Sequence, residues 1–174
     1  MREIIINTGP IIALTAAVGS LSWMGQLYDR VIVPGEVFDE LLAGGPLANE
    51  CGLVLSAGGA FAVREKMGSI RKSLLGELDL GEASVLETAL TGAVSTVAID
   101  EVAGRRIARI YGLKVTGSLG ILVRAKKEGI IKDLRICIQS MKAHGVWISD
   151  ELTHQVLASA GEQQLGGGEM RADS

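Results

Sequence analysis

Three consecutive β-branched residues, Ile4, Ile5 and Ile6, run directly into Asn7-Thr8-Gly9-Pro10. Such a run suits a strand buried on both faces, as in a parallel sheet. Pro10 fits the first turn of a helix, where a missing N–H costs nothing. The stretch therefore predicts a buried strand that turns at once into a helix, with Asn7 or Thr8 available as its cap. In an open α/β sheet this turn presents side chains at the carboxyl edge, where ligands bind. The side chain offered there is an amide, Asn7, where catalytic chemistry more often uses an acid.

The pattern then repeats. Val31-Ile32-Val33 reads as a second buried strand stopped by Pro34, 60–63 as a short third, Thr96-Val97-Ala98-Ile99 as a fourth ending in Asp100-Glu101, and Val115-Thr116 as a fifth. Between and after them, helical spacing is expected over 10–18, 21–27, 35–42, 47–55, 82–90, 102–111, 118–127, 134–143 and from Ser149 to about 160. Residues 64–76 read as a loop with one helical turn. Strands alternating with helices imply right-handed crossovers. The expected fold is an α/β/α three-layer sandwich with a mostly parallel central sheet of four or five strands. One domain is expected over 1–160, with a disordered Gly-rich tail over 161–174.

Composition narrows the function classes. A hydrophobic content of 48% in 174 residues supports a substantial core, and 3% aromatic content makes that core aliphatic. A net charge of −3 provides no global basic field for nucleic acid, so such a partner would need a local patch. Arg105 and Arg109, four apart on one helix, are candidate phosphate contacts. Trp23 and Trp147 are assigned to packing or an interface. Cys51 and Cys137 have neither disulfide nor metal spacing, and His144 and His154 do not read as a ligand pair. With no signal-like start and no apolar run of about 18 residues, a cytoplasmic protein without membrane contact is expected. Neither a dinucleotide fingerprint nor a P-loop is present.

The acids give the sharper signal. Asp100 follows a strand at the same sheet edge as Asn7, and Glu40 and Glu82 lie on helices near it. Each has a structural reading alone: Asn7 as a turn residue, Glu40 as a solvated acid, Glu82 as a helix-dipole partner and Asp100 as a cap. Together, carboxylates converging at one edge repel one another unless a cation sits among them, and oxygen donors suit Mg²⁺ or Mn²⁺.

In order along the chain, Ile-Asn-Thr-Gly-Pro-Ile-Ile-Ala-Leu, Val-Ile-Val-Pro-Gly-Glu-Val-Phe-Asp-Glu-Leu, Leu-Asp-Leu-Gly-Glu-Ala-Ser, Val-Ala-Ile-Asp-Glu-Val-Ala-Gly-Arg and Val-Thr-Gly-Ser-Leu-Gly-Ile-Leu resemble the motifs of PIN domains, and more closely a VapC-related branch. The resemblance spans roughly 4–152. It implies a metal-dependent endoribonuclease with Mg²⁺ or Mn²⁺, an RNA substrate, a homodimer and an antitoxin partner inserting an Arg into the acidic cleft. The four acids of the family fall on Asn7, Glu40, Glu82 and Asp100, with Glu101 as a helper ligand. Thr8, Thr116 and Ser118 match polar residues beside them. Leu21, Trp23, Met24 and Leu27 are the expected interface. Where the family has Asp this chain has Asn7, so a non-catalytic PIN-fold module that binds RNA or protein is the second reading.

Overall fold

β1 (Glu3–Ile6), β2 (Arg30–Val33), β3 (Phe61–Val63), β4 (Thr96–Ala98) and β5 (Lys114–Thr116) form one all-parallel sheet in the order β3-β2-β1-β4-β5. This is a computed structural model, and it describes residues 1–56 and 58–162. The Gly-rich tail beyond 162 lies outside the described residues. β1 is central, with Ile5 level with Ile32 on one side and Val97 on the other. Ile4, Ile5 and Ile6 are wholly buried, as their β-branched run predicts.

The chain reverses its direction of travel across the sheet between β1 and β4. One half winds outward through β2 to β3, the other through β4 to β5. A crevice opens at the carboxyl ends of strands on either side of such a switch point. Here those ends deliver Asn7 and Asp100-Glu101.

Helices cover both faces. α1 (Thr8–Val18) packs with α3 (Gly35–Ala43), α4 (Pro46–Ser56), α8 (Ser118–Lys127) and α9 (Leu134–Ala143). α6 (Leu80–Thr91) packs on β1 and β4, beside α5 (Lys72–Leu75) and α7 (Val102–Ile110), and also meets α3. α10 (Asp150–Ser159) closes against α8 and α9. Gly19 ends α1 with a φ of 81°, a conformation that suits glycine, and its N–H caps Thr15 O.

Three expectations are corrected. The helix expected from 21 is a single turn, α2 (Met24–Leu27), because the preceding residues form turns in which Trp23 Nε1 donates to Ser20 O at 2.9 Å. Leu21, Trp23, Met24 and Leu27 are all buried in the core, so they are not an exposed interface. The helix expected from Glu82 begins at Leu80, since Asp79 caps it by accepting from Glu82 N at 2.8 Å.

With the core centred on β1, Ile4→Ala is expected to destabilise the domain by about 2–5 kcal/mol, the usual cost of a truncated, fully buried Ile. Urea unfolding followed by circular dichroism measures it; a loss under 1 kcal/mol would show that the strand is not the centre of the core.

Candidate functional site

The site begins where β1 stops. Asn7 N donates to Ala98 O at 3.0 Å, so the backbone stays in register with β4 for one residue past the strand. Asn7 occupies the N-cap position of α1, yet its side chain makes no capping bond. It is buried, and among the described residues its Oδ1 has no hydrogen-bond partner. An orphaned buried acceptor costs about 1–3 kcal/mol, so such groups call for a reason.

Glu82 has the same peculiarity. It lies in the first turn of α6, buried, with Oε1 unpartnered among the described residues. Burial lifts its carboxyl above the ordinary Glu value, and the negative charges of Asp79, Glu101 and Glu40 push it further up. A hydrogen bond from the Asp79 backbone N–H to the Glu82 carboxylate opposes them only in part.

Glu40 comes from α3 and accepts from Thr8 Oγ1 at 2.5 Å, which links α3 to the start of α1. Its carboxylate lies against Gly81, where a β-carbon would come within 2.6 Å of both oxygens. The other acids meet glycines in the same way. A β-carbon would stand 2.5 Å from Glu82 Oε1 at Gly104, 2.8 Å from Glu101 Oε1 at Gly9 and 2.6 Å from Asp100 Oδ1 at Gly117. Four carboxylates thus rest against four bare backbone positions, which is how so many acids fit one sheet edge.

The two acids after β4 part company. Glu101 is the N-cap residue of α7 and leans toward Gly9 and the charge field of Glu82. Asp100 is exposed, does not cap that helix, and accepts from Ser118 N at 2.8 Å with Oδ1. Arg105 stands beside it over Gly117 and donates through Nη1 to Ile99 O at 2.9 Å. Arg109 is exposed further along α7, and Arg106 between them pairs with Glu77 at 3.0 Å.

The structure therefore gathers Asn7, Thr8, Glu40, Glu82 and Glu101 into one acidic crevice. It sets Asp100, Arg105, Thr116 and Ser118 on the wall of an adjoining cavity. Asp79 and Glu36 were not among the residues expected from sequence. Asp79 sits three residues before Glu82, a capping spacing that is legible in retrospect. Glu36 is buried, with Oε1 accepting from Met67 N at 2.7 Å and Oε2 without a partner among the described residues, and it ties the segment after β3 to α3.

The donor chemistry fits a hard divalent cation: two buried oxygens, on Asn7 and Glu82, without a partner among the described residues, beside carboxylates whose charge raises the proton affinity of Glu82. Among the described residues, no three Asp, Glu, His or Cys side chains stand close enough to hold one ion as placed. Thr8 engages one oxygen of Glu40 and Ser118 one of Asp100.

A parallel α/β sheet with acids gathered at its switch point has the form of a nuclease-type domain. The PIN-domain family model matches residues 3–162, and the chain belongs to that family. No curated protein matches it in sequence. No helix among the described residues is long and apolar enough to cross a membrane.

Proposed function

We propose that this PIN domain is a divalent-metal-dependent endoribonuclease. The observation that carries the reading is the pair of orphaned buried oxygens, Asn7 Oδ1 and Glu82 Oε1, inside a crevice that raises the Glu82 carboxyl through burial and like charge. Asn7, Glu40, Glu82 and Asp100, with Glu101 assisting, would hold Mg²⁺ or Mn²⁺. Such an ion supplies Lewis-acid stabilisation of the phosphoryl oxygens and a water of lowered pKa.

The chain's own residues set the rest. Thr8 fixes the rotamer of Glu40, and the Ser118 N–H fixes that of Asp100. Asn7 contributes a neutral oxygen that accepts but carries no charge. Arg105 and Arg109 lie on the helix that leaves this edge, where a guanidinium suits the phosphate backbone. An RNA strand would lie along the carboxyl edge, with its scissile phosphate at the acids. As a toxin of the VapC type, the protein would form a homodimer and be inhibited by an antitoxin whose Arg enters the acidic crevice.

The expected result is cleavage of a pool of single-stranded RNA in Mn²⁺ or Mg²⁺ that stops with EDTA and falls at least about a hundredfold in Asp100→Ala, as for the loss of a direct metal ligand. Absence of metal-dependent cleavage overturns the enzyme reading. Asn7 favours one alternative, a non-catalytic PIN-fold module that binds RNA or a protein: a site short of one negative charge holds a hard cation less firmly.

A further inference from the structure

A cavity of about 650 Å³ opens beside the acidic crevice, between the turn after β5 and the segment joining α9 to α10. Asp100, Arg105 and Ser118 line it, as do Trp147, Ile148 and Leu152. Trp147 is 86% exposed, although Trp is usually among the more buried residues. It is not alone, since Val102 and Leu152 on the same cavity are also exposed. Scattered apolar side chains on a surface need no reason, but several around one concavity mark a binding site.

We infer that this cavity is a subsite for a nucleobase of the RNA strand, with the Trp147 indole as its stacking face. The inference rests on the nuclease-type reading of the neighbouring crevice. Three features select a base over other occupants. The cavity begins at Asp100, so a phosphate held at the acids delivers the flanking nucleotide directly into it. An aromatic face stacks any base, and the same cavity is lined by polar groups able to meet a base edge. Arg105, with Nη1 engaged by Ile99 O, is held at the mouth with further N–H donors in its guanidinium. Together they let a net-acidic protein bind RNA through stacking as well as charge.

The test is a fluorescence titration in EDTA, where binding is read without cleavage. Trp23 is buried at 7% exposure, so quenching by a bound base reports Trp147. Hexa-adenylate is expected to quench saturably, while an abasic ribose-phosphate hexamer is not. Trp147→Ala is expected to weaken hexa-adenylate binding, followed by anisotropy, by about five- to a hundredfold, and Trp147→Phe by less than threefold. Binding within twofold of wild type in Trp147→Ala, or equal binding of the abasic hexamer, overturns the subsite. So does a lower sedimentation mass of Trp147→Ala with unchanged RNA affinity, which would make Trp147 a protein contact. Because no ion is used, quenching by hexa-adenylate without Mn²⁺-dependent cleavage keeps the subsite and removes the nuclease; cleavage with KM unchanged in Trp147→Ala does the reverse.

Discussion

Glu82→Gln is expected to reduce metal-dependent RNA cleavage by at least about a hundredfold while leaving the metal-free fold as stable as wild type or more so. The first half follows from position. Mutating even an outer partner of a metal ligand costs about 10–100-fold in affinity or activity, and Glu82 would touch the ion directly. The second half follows from the sign of its titration. Burial and the charges of Asp79, Glu101 and Glu40 raise its carboxyl above the ordinary value, so the native state binds the proton more tightly than the unfolded chain does. Stability therefore falls as pH rises from the unfolded pKa near 4.5 through the raised folded value. Glutamine stays neutral and removes that slope. Urea midpoints in EDTA from pH 4 to 8 should decline across this window in wild type and stay flatter in Glu82→Gln. Adding Mn²⁺ should raise the wild-type midpoint, through binding to the native state alone, and barely move the variant. Unchanged cleavage in a folded Glu82→Gln would remove Glu82 from the site.

Local chemistry makes the frame of this site legible in the sequence, and long-range contacts hide the rest. β1 and its turn were legible because local chemistry decides them: three β-branched residues, then a polar corner, then Pro10. The α1 stop at Gly19 and the end of β2 before Pro34 are legible for the same reason. What escaped depends on neighbours far along the chain. Leu21, Trp23, Met24 and Leu27 read as an apolar interface, but the folded chain buries them all. Trp147 reads as packing or an interface, and nothing local tells that it stands exposed on a cavity shared with Asp100, 47 residues earlier in the chain. Asp100 and Glu101 are adjacent in sequence, yet the start of α7 sends them different ways, one to the Ser118 N–H and the other toward Glu82. The glycines at 9, 81, 104 and 117 carry a signal that residue type alone conceals: each matters for the carboxylate that rests against it.

Asn7→Asp is expected to tighten Mn²⁺ binding by at least about tenfold and to raise cleavage with it. The substitution changes almost no volume, and Asp serves an N-cap position as well as Asn does, so α1 has no reason to shift. What changes is charge. At about 4 Å and an effective dielectric near 20, one unit charge on another is worth about 4 kcal/mol, and a divalent ion doubles the attraction. Repulsion from Glu82, Glu40 and Glu101 opposes that gain, which is why the net effect is placed near tenfold, about 1.4 kcal/mol, rather than at the full Coulomb figure. The same repulsion has a separate consequence in EDTA. A new carboxylate buried at Asn7 has no cation beside it, so the metal-free variant should melt lower, by about 2–4 °C for each kcal/mol lost. Mn²⁺ should then restore more stability to Asn7→Asp than to wild type. Calorimetric titration, thermal melts with and without Mn²⁺, and RNA cleavage read the three effects on one pair of proteins. A gain in affinity and cleavage would show that the natural amide holds the site below its catalytic capacity. Equal cleavage in both proteins would show instead that Asn7 Oδ1 already does what the carboxylate does elsewhere, and that an acid at this position is not what limits the enzyme.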